Sequence, residues 1–452
     1  MTHARPRRHR DLQNADYAEW RQFLRTTDTW SRTDIERYQL EAIQRLVARA
    51  STQTTGYRSL FDNAGVGPGD IATLADVRRL PYVTKEMLRD ALAAYTATTE
   101  GCDYVTTGGS TGIPFGMYRT PHAFARELAS KAHQYARRGW QEGDPQLVLR
   151  GLPIDTPDHT ALVDDLNELR CSSYHLVPDA MDGYVAVARA YEPLWLRCYP
   201  SAGCLFARHV LETGQSIPSL RGILCASENL LPEQESLLRA AFGVPVFSHY
   251  GHYELAALAG FCEHTSRYHV LPQYGYVELI GTDGLPVTTP GGVGEIVATS
   301  FLMDATLFIR YRTRDLAVYA ADHCEACHRP HQLWERVEGR LQEFVLSATG
   351  RLISMTAMNM HTPVFDPLRQ FQFYQASPGE VEFRYVPRAE GVAAPALDAM
   401  RTALGHKLGA DIRLSFRQVD DLPPTVRGKR RFLIQDLPIE TLHGSASGHL
   451  HG

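Results

Sequence analysis

Tyr104-Val-Thr-Thr-Gly-Gly-Ser-Thr-Gly-Ile-Pro114 is the stretch from which the rest of this chain can be read. Thr107, Gly108, Gly109, Ser110, Thr111 and Gly112, closed by Ile113 and Pro114, put three hydroxyl residues and three glycines into eight positions. Glycine lets successive backbone N–H groups converge on one point, and hydroxyls add further donors. Such a loop suits an anion with several oxygens, above all a phosphate chain. It is not the P-loop of nucleoside triphosphatases, because G-x-x-x-x-G-K-[ST] is absent. A Gly/Ser/Thr run is also what a plain surface loop looks like, so the residues that follow decide between the two.

At 452 residues the chain exceeds one ordinary core, and two or three domains are expected. Hydrophobic residues make up 44% and charged residues 21%, an ordinary globular balance. A net charge of −5 gives no reason to expect nucleic acid or an anionic membrane as partner. No apolar run approaches the roughly 20 residues of a membrane helix. The basic start, Arg5 to Arg10, lacks the apolar segment of a secretory signal. Eight scattered cysteines without such a signal argue against a disulfide scaffold, so a reducing cytoplasm is the default setting.

Outward from the glycine loop, the pattern reads helical from Trp20 to about Ala50, and again, rich in alanine, from Asp90 to Thr98. Thr120-Pro121 starts a helix reaching Arg138. Then strands alternate with helices: strand Gln146 to Arg150, helix Tyr184 to Leu196, strand Gly222 to Ala226, helix Pro232 to Phe242, strand Val244 to Ser248. This predicts an α/β fold with a mostly parallel sheet and ligands beyond the strands' carboxyl ends. Val270 to Val297 reads as a β-rich subdomain, and a small α+β unit follows about Glu343. The division expected is a large domain over 1–341 and a small mobile one over 342–452.

Four constellations carry chemistry. Ser248-His-Tyr-Gly-His-Tyr-Glu254 follows a strand, and offers a ring that can stack on a base and a carboxylate that can hold Mg²⁺. Phe308-Ile-Arg-Tyr-Arg-Thr-Arg-Asp-Leu316 places Asp315 where it can accept from a diol such as ribose. Val337-Glu-Gly-Arg-Leu-Gln-Glu343 lies at the expected domain junction. Pro424-Thr-Val-Arg-Gly-Lys-Arg-Arg431 presents Lys429 as a point charge in a basic loop. Each alone also reads as a buried tyrosine, a solvated strand end or a solvated loop.

In this order behind the glycine loop, the four resemble the adenylate-forming superfamily of acyl- and aryl-CoA ligases, over nearly the whole chain. The match is to the phenylacetate-CoA ligase and CapK-like branch, and includes Tyr38-Gln39, Tyr57-Arg58, Leu80-Pro81, Thr84-Lys85, Tyr199-Pro-Ser201 and Ala226-Ser-Glu228. The resemblance implies that Thr107 to Gly112 closes over the phosphates of ATP. It implies that Ser227 and Glu228 line the adenine pocket, that Tyr250, followed by Gly251, packs on adenine, and that Glu254 binds Mg²⁺. Asp315 would hold the ribose with help from Arg340. Gln342 or Glu343 would be the hinge, and Lys429 would drive adenylation. The implied activity is adenylation of a carboxylic acid, aromatic or otherwise small and apolar, then transfer to CoA, a carrier thiol or an amine. Rival readings are activation of a small oxoacid, amide formation in a specialised pathway, and a non-catalytic nucleotide-binding scaffold. A homodimer is one option for its assembly. Three departures stand out: no lysine after Pro114, Thr313-Arg-Asp315 in place of the usual Thr-Gly-Asp, and no aspartate at the hinge.

A fifth constellation is Cys262-Glu-His-Thr-Ser-Arg-Tyr-His269 with Cys324-Glu-Ala-Cys327. A C-x-x-C pair and a Cys/His group roughly sixty residues apart fit tetrahedral, structural Zn²⁺. Cys262, Cys324 and Cys327 are the first choices. His264 and His269 compete for the fourth place, with His328 behind them. Reduced, unbound thiols are the bland alternative.

Overall fold

Ser31 and Asp34 cap one another at the start of the long N-terminal helix, each backbone N–H reaching the other's side chain at 3.2 Å. This satisfies N–H groups that a helix start leaves over. The helix runs Arg32–Gln53, burying Ile35, Ile43, Val47 and Ala50, and is separate from a preceding helix, Ala15–Thr27. The one helix expected here is therefore two, because the cap starts a new one. The computed structural model describes residues 15–107, 115–150, 154, 156–340, 344–350, 352–354, 363–365, 367–388, 391–423 and 431–437.

Tertiary pairing overrides local preference in two places. The alanine-rich stretch after Asp90 forms only a short 3-10 turn, Leu92–Tyr95. Its next N–H, from Ala97, bonds the Ala305 carbonyl at 2.8 Å, and Leu307 N–H returns to the Tyr95 carbonyl at 3.1 Å. Further on, the helix Pro178–Tyr191 ends on Glu192 in the left-handed region, before Pro193. Trp195 and Leu196, expected to end that helix, instead begin the strand Trp195–Cys198.

Among the described residues the main sheet has twelve strands. Its parallel core runs Val246–Gly251, Gly222–Ala226, Trp195–Cys198, Gln146–Arg150 and Glu168–Ser172, each hydrogen-bonded to the next. The antiparallel strand Thr160–Val163 closes one end. At the other end Leu258–Phe261 turns antiparallel against Val246–Gly251 and leads into the β-rich region. Tyr268–Val270, Leu333–Arg340, Tyr311–Ala321, Val293–Ser300 and Gly275–Ile280 complete it. The β-rich subdomain is thus continuous with the α/β sheet. A smaller four-stranded sheet carries the helix Ala394–Leu408, whose Met400, Leu404 and Leu408 join Phe373 and Phe383 in a separate core. Arg388 of this unit pairs with Glu212 on the helix Pro200–Thr213. No helix among the described residues is long and apolar enough to cross a membrane.

One buried ion pair ties the N-terminal helices to the β-rich strands. Arg310 donates to both Glu278 oxygens at 2.9 and 3.1 Å, and to the carbonyls of Arg78 and Leu80 at 2.9 and 2.6 Å. Its guanidinium also lies 4.2 Å from the centre of the Tyr82 ring. Val83 N–H bonds the Arg310 carbonyl, and Arg312 N–H the Val83 carbonyl. Both charges are almost fully enclosed, so removing one leaves the other buried without a compensating charge. Glu278→Gln should therefore lower the free energy of unfolding by about 3 kcal/mol, read by urea denaturation; a loss under about 1 kcal/mol would show that the pair is dispensable.

Candidate active site

Gln146–Arg150 is the first strand of the parallel core. Glu168–Ser172 joins it on one side, and Trp195–Cys198 joins on the other, with the next two strands continuing outward. Successive connections that leave in opposite directions open a crevice beyond the carboxyl ends of the two middle strands. The first and second constellations meet in space, although their strands are not neighbours in the sheet. Tyr250 Oη donates to Asp315 Oδ2 at 2.7 Å, joining residues 65 apart in sequence. Arg340 stands opposite Asp315 in the strand register.

Glu254 is buried, and it is surrounded. Tyr311 Oη donates to Oε1 at 3.3 Å, Lys85 Nζ lies 3.5 Å from the same oxygen, and His252 Nδ1 lies 3.3 Å from Oε2. Burial opposes its charge, but His252 and Lys85 outweigh that and hold the carboxyl well below the usual range. It is an ionised carboxylate in the turn between Val246–Gly251 and Leu258–Phe261, as a hard cation needs.

Lys85 was quoted from the sequence only as part of a resemblance, yet it touches the carboxylate on which the site turns. Thr84 caps the short helix Lys85–Asp90, accepting from Met87 N–H, and this aims the first turn at the site. The next residue, Glu86, takes Arg314 at 2.6 Å. Neither contact has a spacing signal, since the partners lie 169 and 228 residues away.

Four non-glycine residues beside these motifs adopt left-handed backbone: Ser227 at φ 70°, Leu255 at 48°, Arg310 at 45° and Arg314 at 64°. Side chains resist this conformation, and it persists where surroundings enforce it. Arg314 fills the glycine position of the usual Thr-Gly-Asp while keeping a glycine-like turn. Its N–H bonds Glu295 Oε1 at 3.2 Å, and its side chain is held by Glu86. That departure leaves Asp315 in place.

The remaining residues divide. Ser227 Oγ accepts from Arg150 at 3.0 Å. Glu228 accepts from Ser201 N–H and Oγ at 2.9 and 3.0 Å, so it caps the helix Pro200–Thr213. Gly251 ends its strand beside Leu258. Thr107 is the last residue of Asp103–Thr107, paired with Phe115 across a hairpin. Gly108, Gly109, Ser110, Thr111 and Gly112, the hinge residues Gln342 and Glu343, and Lys429 lie outside the described residues.

The cysteine motif closes up. Ligand atoms of Cys262, His269, Cys324 and Cys327 all lie within 4.8 Å of one another. Cys262 Sγ is 3.9 Å from Cys324 Sγ, and Cys327 Sγ is 3.7 Å from His269 Nε2. A zinc tetrahedron with Zn–S of about 2.3 Å has edges of about 3.8 Å, so this donor set fits the ion. Burial, with Arg137 and Arg329 adding to it, pushes His269 down to about 3, leaving the neutral imidazole a metal needs. His264 stays outside the cluster, offering only its backbone N–H to Cys262 Sγ at 3.4 Å. An ion network braces both cysteine loops: Arg329 pairs with Asp28 at 2.9 Å and with Glu263 at 2.7 Å, and Asp28 also takes Arg137 at 2.8 Å.

Comparison with known proteins agrees with this geometry. No family model matches the chain. Protein CapK of Staphylococcus aureus is 22% identical over 382 residues, covering 82% of this chain and 82% of its own. A phenylacetate-coenzyme A ligase of Aromatoleum evansii is 24% identical over 298 residues, covering 63% and 67%. In fold, the chain is similar to the crystal structure of 2-hydroxyisobutyryl-CoA ligase in the postadenylation state, in complex with R3-HIB-AMP. The TM-score is 0.70 at 17% identity, over 93% of this chain and 94% of that one.

Asp28 provides a pH test of the bracing network. Burial opposes its charge, but His133, Arg137 and Arg329 outweigh it and hold the carboxyl far below its ordinary value. A depressed folded-state pKa stabilises the fold above the unfolded value and loses that contribution on acidification. Asp28→Asn should cost on the order of 2 kcal/mol at neutral pH. The gap to the parent should close as pH falls below about 4, followed by denaturation across pH; a gap independent of pH would remove the ionised carboxylate from the explanation.

Proposed function

We propose that this chain, which belongs to the adenylate-forming superfamily and within it to the phenylacetate-CoA ligase and CapK-like branch, uses ATP to adenylate a carboxylic acid and then transfers the acyl group to a nucleophile. The observation that carries this reading is the bond between Tyr250 and Asp315 with the ionised Glu254 in the turn that follows Tyr250's strand. A ring for the base, an acceptor for the ribose and a carboxylate for a phosphate-bound cation are the parts the reaction requires.

A free carboxylate acylates poorly, because its leaving group would be oxide. When its oxygen attacks the α-phosphorus of ATP, the bond to pyrophosphate breaks and an acyl-AMP forms. Attack on that carbonyl then expels AMP, a good leaving group. CoA is the favoured acceptor, in line with the names of the relatives, with a carrier thiol or an amine as the other choices. Positioning and charge neutralisation supply most of such catalysis. Glu254 is the residue suited to hold Mg²⁺, which when bound would offset the phosphate charge. Lys85 stands at the same carboxylate, and Lys429 would add a second cation from the small domain. We take Gln342 or Glu343 as the point about which that domain turns between half-reactions. The acid's body is read as aromatic or small, and the setting as cytoplasmic.

The experiment that tests this reading is pyrophosphate exchange over an acid panel, with acyl-AMP trapped by hydroxylamine. Lys429→Ala should cut acyl-AMP formation at least a hundredfold while leaving thioester formation from supplied acyl-AMP within a fewfold. Equal loss in both steps would take Lys429 out of adenylation.

The cluster of Cys262, His269, Cys324 and Cys327 is proposed as a closed structural Zn²⁺ site that ties two loops beside the nucleotide crevice. Such sites contribute directly to folding free energy. Elemental analysis should find about one zinc per chain. Cys324→Ser and His269→Ala should lose it and lower the melting temperature, whereas His264→Ala should retain it. Protein prepared without chelator that contains no zinc would reject the site.

A further inference from the structure

Among the described residues, one cation in the crevice has no carboxylate partner. Arg150 ends the strand Gln146–Arg150, so it stands at the point where the sheet's connections change direction. Its guanidinium donates to Ser227 Oγ at 3.0 Å and lies 5.2 Å from the centre of the Tyr199 ring. Both partners are neutral; Tyr199 follows the adjacent strand and Ser227 the strand beyond it. Among the described residues no carboxylate pairs with it. The other cations nearby are matched: Arg197 reaches Glu168 at 3.4 Å, and Lys131 pairs with Glu127.

The surroundings raise the need for an anion. His249 is buried beside Tyr135, 3.2 Å from its hydroxyl. Burial first, then the charges of Lys131, Arg150 and Arg197, hold its pKa well below the ordinary histidine value, so it is neutral and offsets nothing. Ser173, the residue after the strand Glu168–Ser172, is buried with its hydroxyl unpartnered. A half-buried guanidinium without an anion is costly, and a planar carboxylate that accepts two of its N–H groups repays that cost. Lys85, at Glu254, and in the adenylation reading Lys429 are the cations proposed for the phosphate chain of ATP.

We infer that the acid activated here carries a second carboxylate, bound by Arg150, with the rings of Tyr135 and Tyr199 against its carbon skeleton. The inference rests on the adenylation reading and adds the substrate class to it. The carboxylate that is activated points to the α-phosphate, and the one bound by Arg150 keeps its charge throughout.

The test is pyrophosphate exchange with matched pairs of acids, benzoate against isophthalate and hexanoate against adipate, in the parent, Arg150→Met and Arg150→Lys. The parent should prefer the dicarboxylate of at least one pair by tenfold or more in kcat/KM. Arg150→Met should reduce that preference at least tenfold through KM for the acid, with KM for ATP within twofold, and Arg150→Lys should restore part of it. Calorimetry of dicarboxylate binding to unlabelled parent and variants gives the same comparison without turnover. Exchange with the monocarboxylates alone, or a rise in KM for ATP in place of the acid's, would overturn the inference and leave adenylation standing. Should Arg150→Met not fold, the parent's own preference and Arg150→Lys still decide. Exchange with no acid at all would sink adenylation as well.

Discussion

Arg310 is enclosed, charged and unable to lose its proton, so everything near it must supply acceptors. Glu278 gives two, and the carbonyls of Arg78 and Leu80 give the rest. Those two carbonyls belong to the N-terminal region, while Glu278 belongs to the β-rich strands. The guanidinium therefore fixes where the chain from Arg78 to Glu86 lies against the sheet. The first turn after it delivers Lys85 to Glu254 and Glu86 to Arg314. A stability contact thus sets the position of two residues in the candidate active site. Its value for specificity of placement follows from how few arrangements satisfy all the donors at once.

The site concentrates conformations and charges that isolated residues would avoid. Ser227, Leu255, Arg310 and Arg314 all hold left-handed backbone within or beside the motifs. Glu254 stays ionised inside the protein because its neighbours outweigh burial. Both features need the surrounding sheet to persist, and both are what a preorganised polar site demands. The Arg314 turn illustrates this most directly: a glycine-like bend carries an arginine, and Glu86 and Glu295 hold it there.

The cysteine cluster shows the same dependence from another direction. Two of its loops come from different strands of the antiparallel arm, and each is braced by Arg329 through Asp28 and Glu263. Asp28 lies between the first two helices. The network therefore links the N-terminus, the cysteine loops and the β-rich region without using the proposed metal.

Read alone, the sequence determined the order of the motifs, three of the five strands of the parallel core, the capped helix after the glycine loop and the small α+β unit. These rest on signals that act over a few residues: period, caps and glycine turns. It also named three thiols and two competing histidines. Only the tertiary structure chose His269, because its strand pairs with Leu258–Phe261 and so sets the imidazole beside Cys262. His264 follows Cys262 too closely, and only its N–H turns back to the sulfur. Tertiary pairing also converted the Trp195–Cys198 segment into a strand and dissolved the helix expected before the glycine loop. Lys85, Glu86 and Arg150 acquire their meaning from partners 77 to 228 residues away. Local sequence carries no signal for such contacts, since ion pairing depends on distance in space and on the burial that makes it matter.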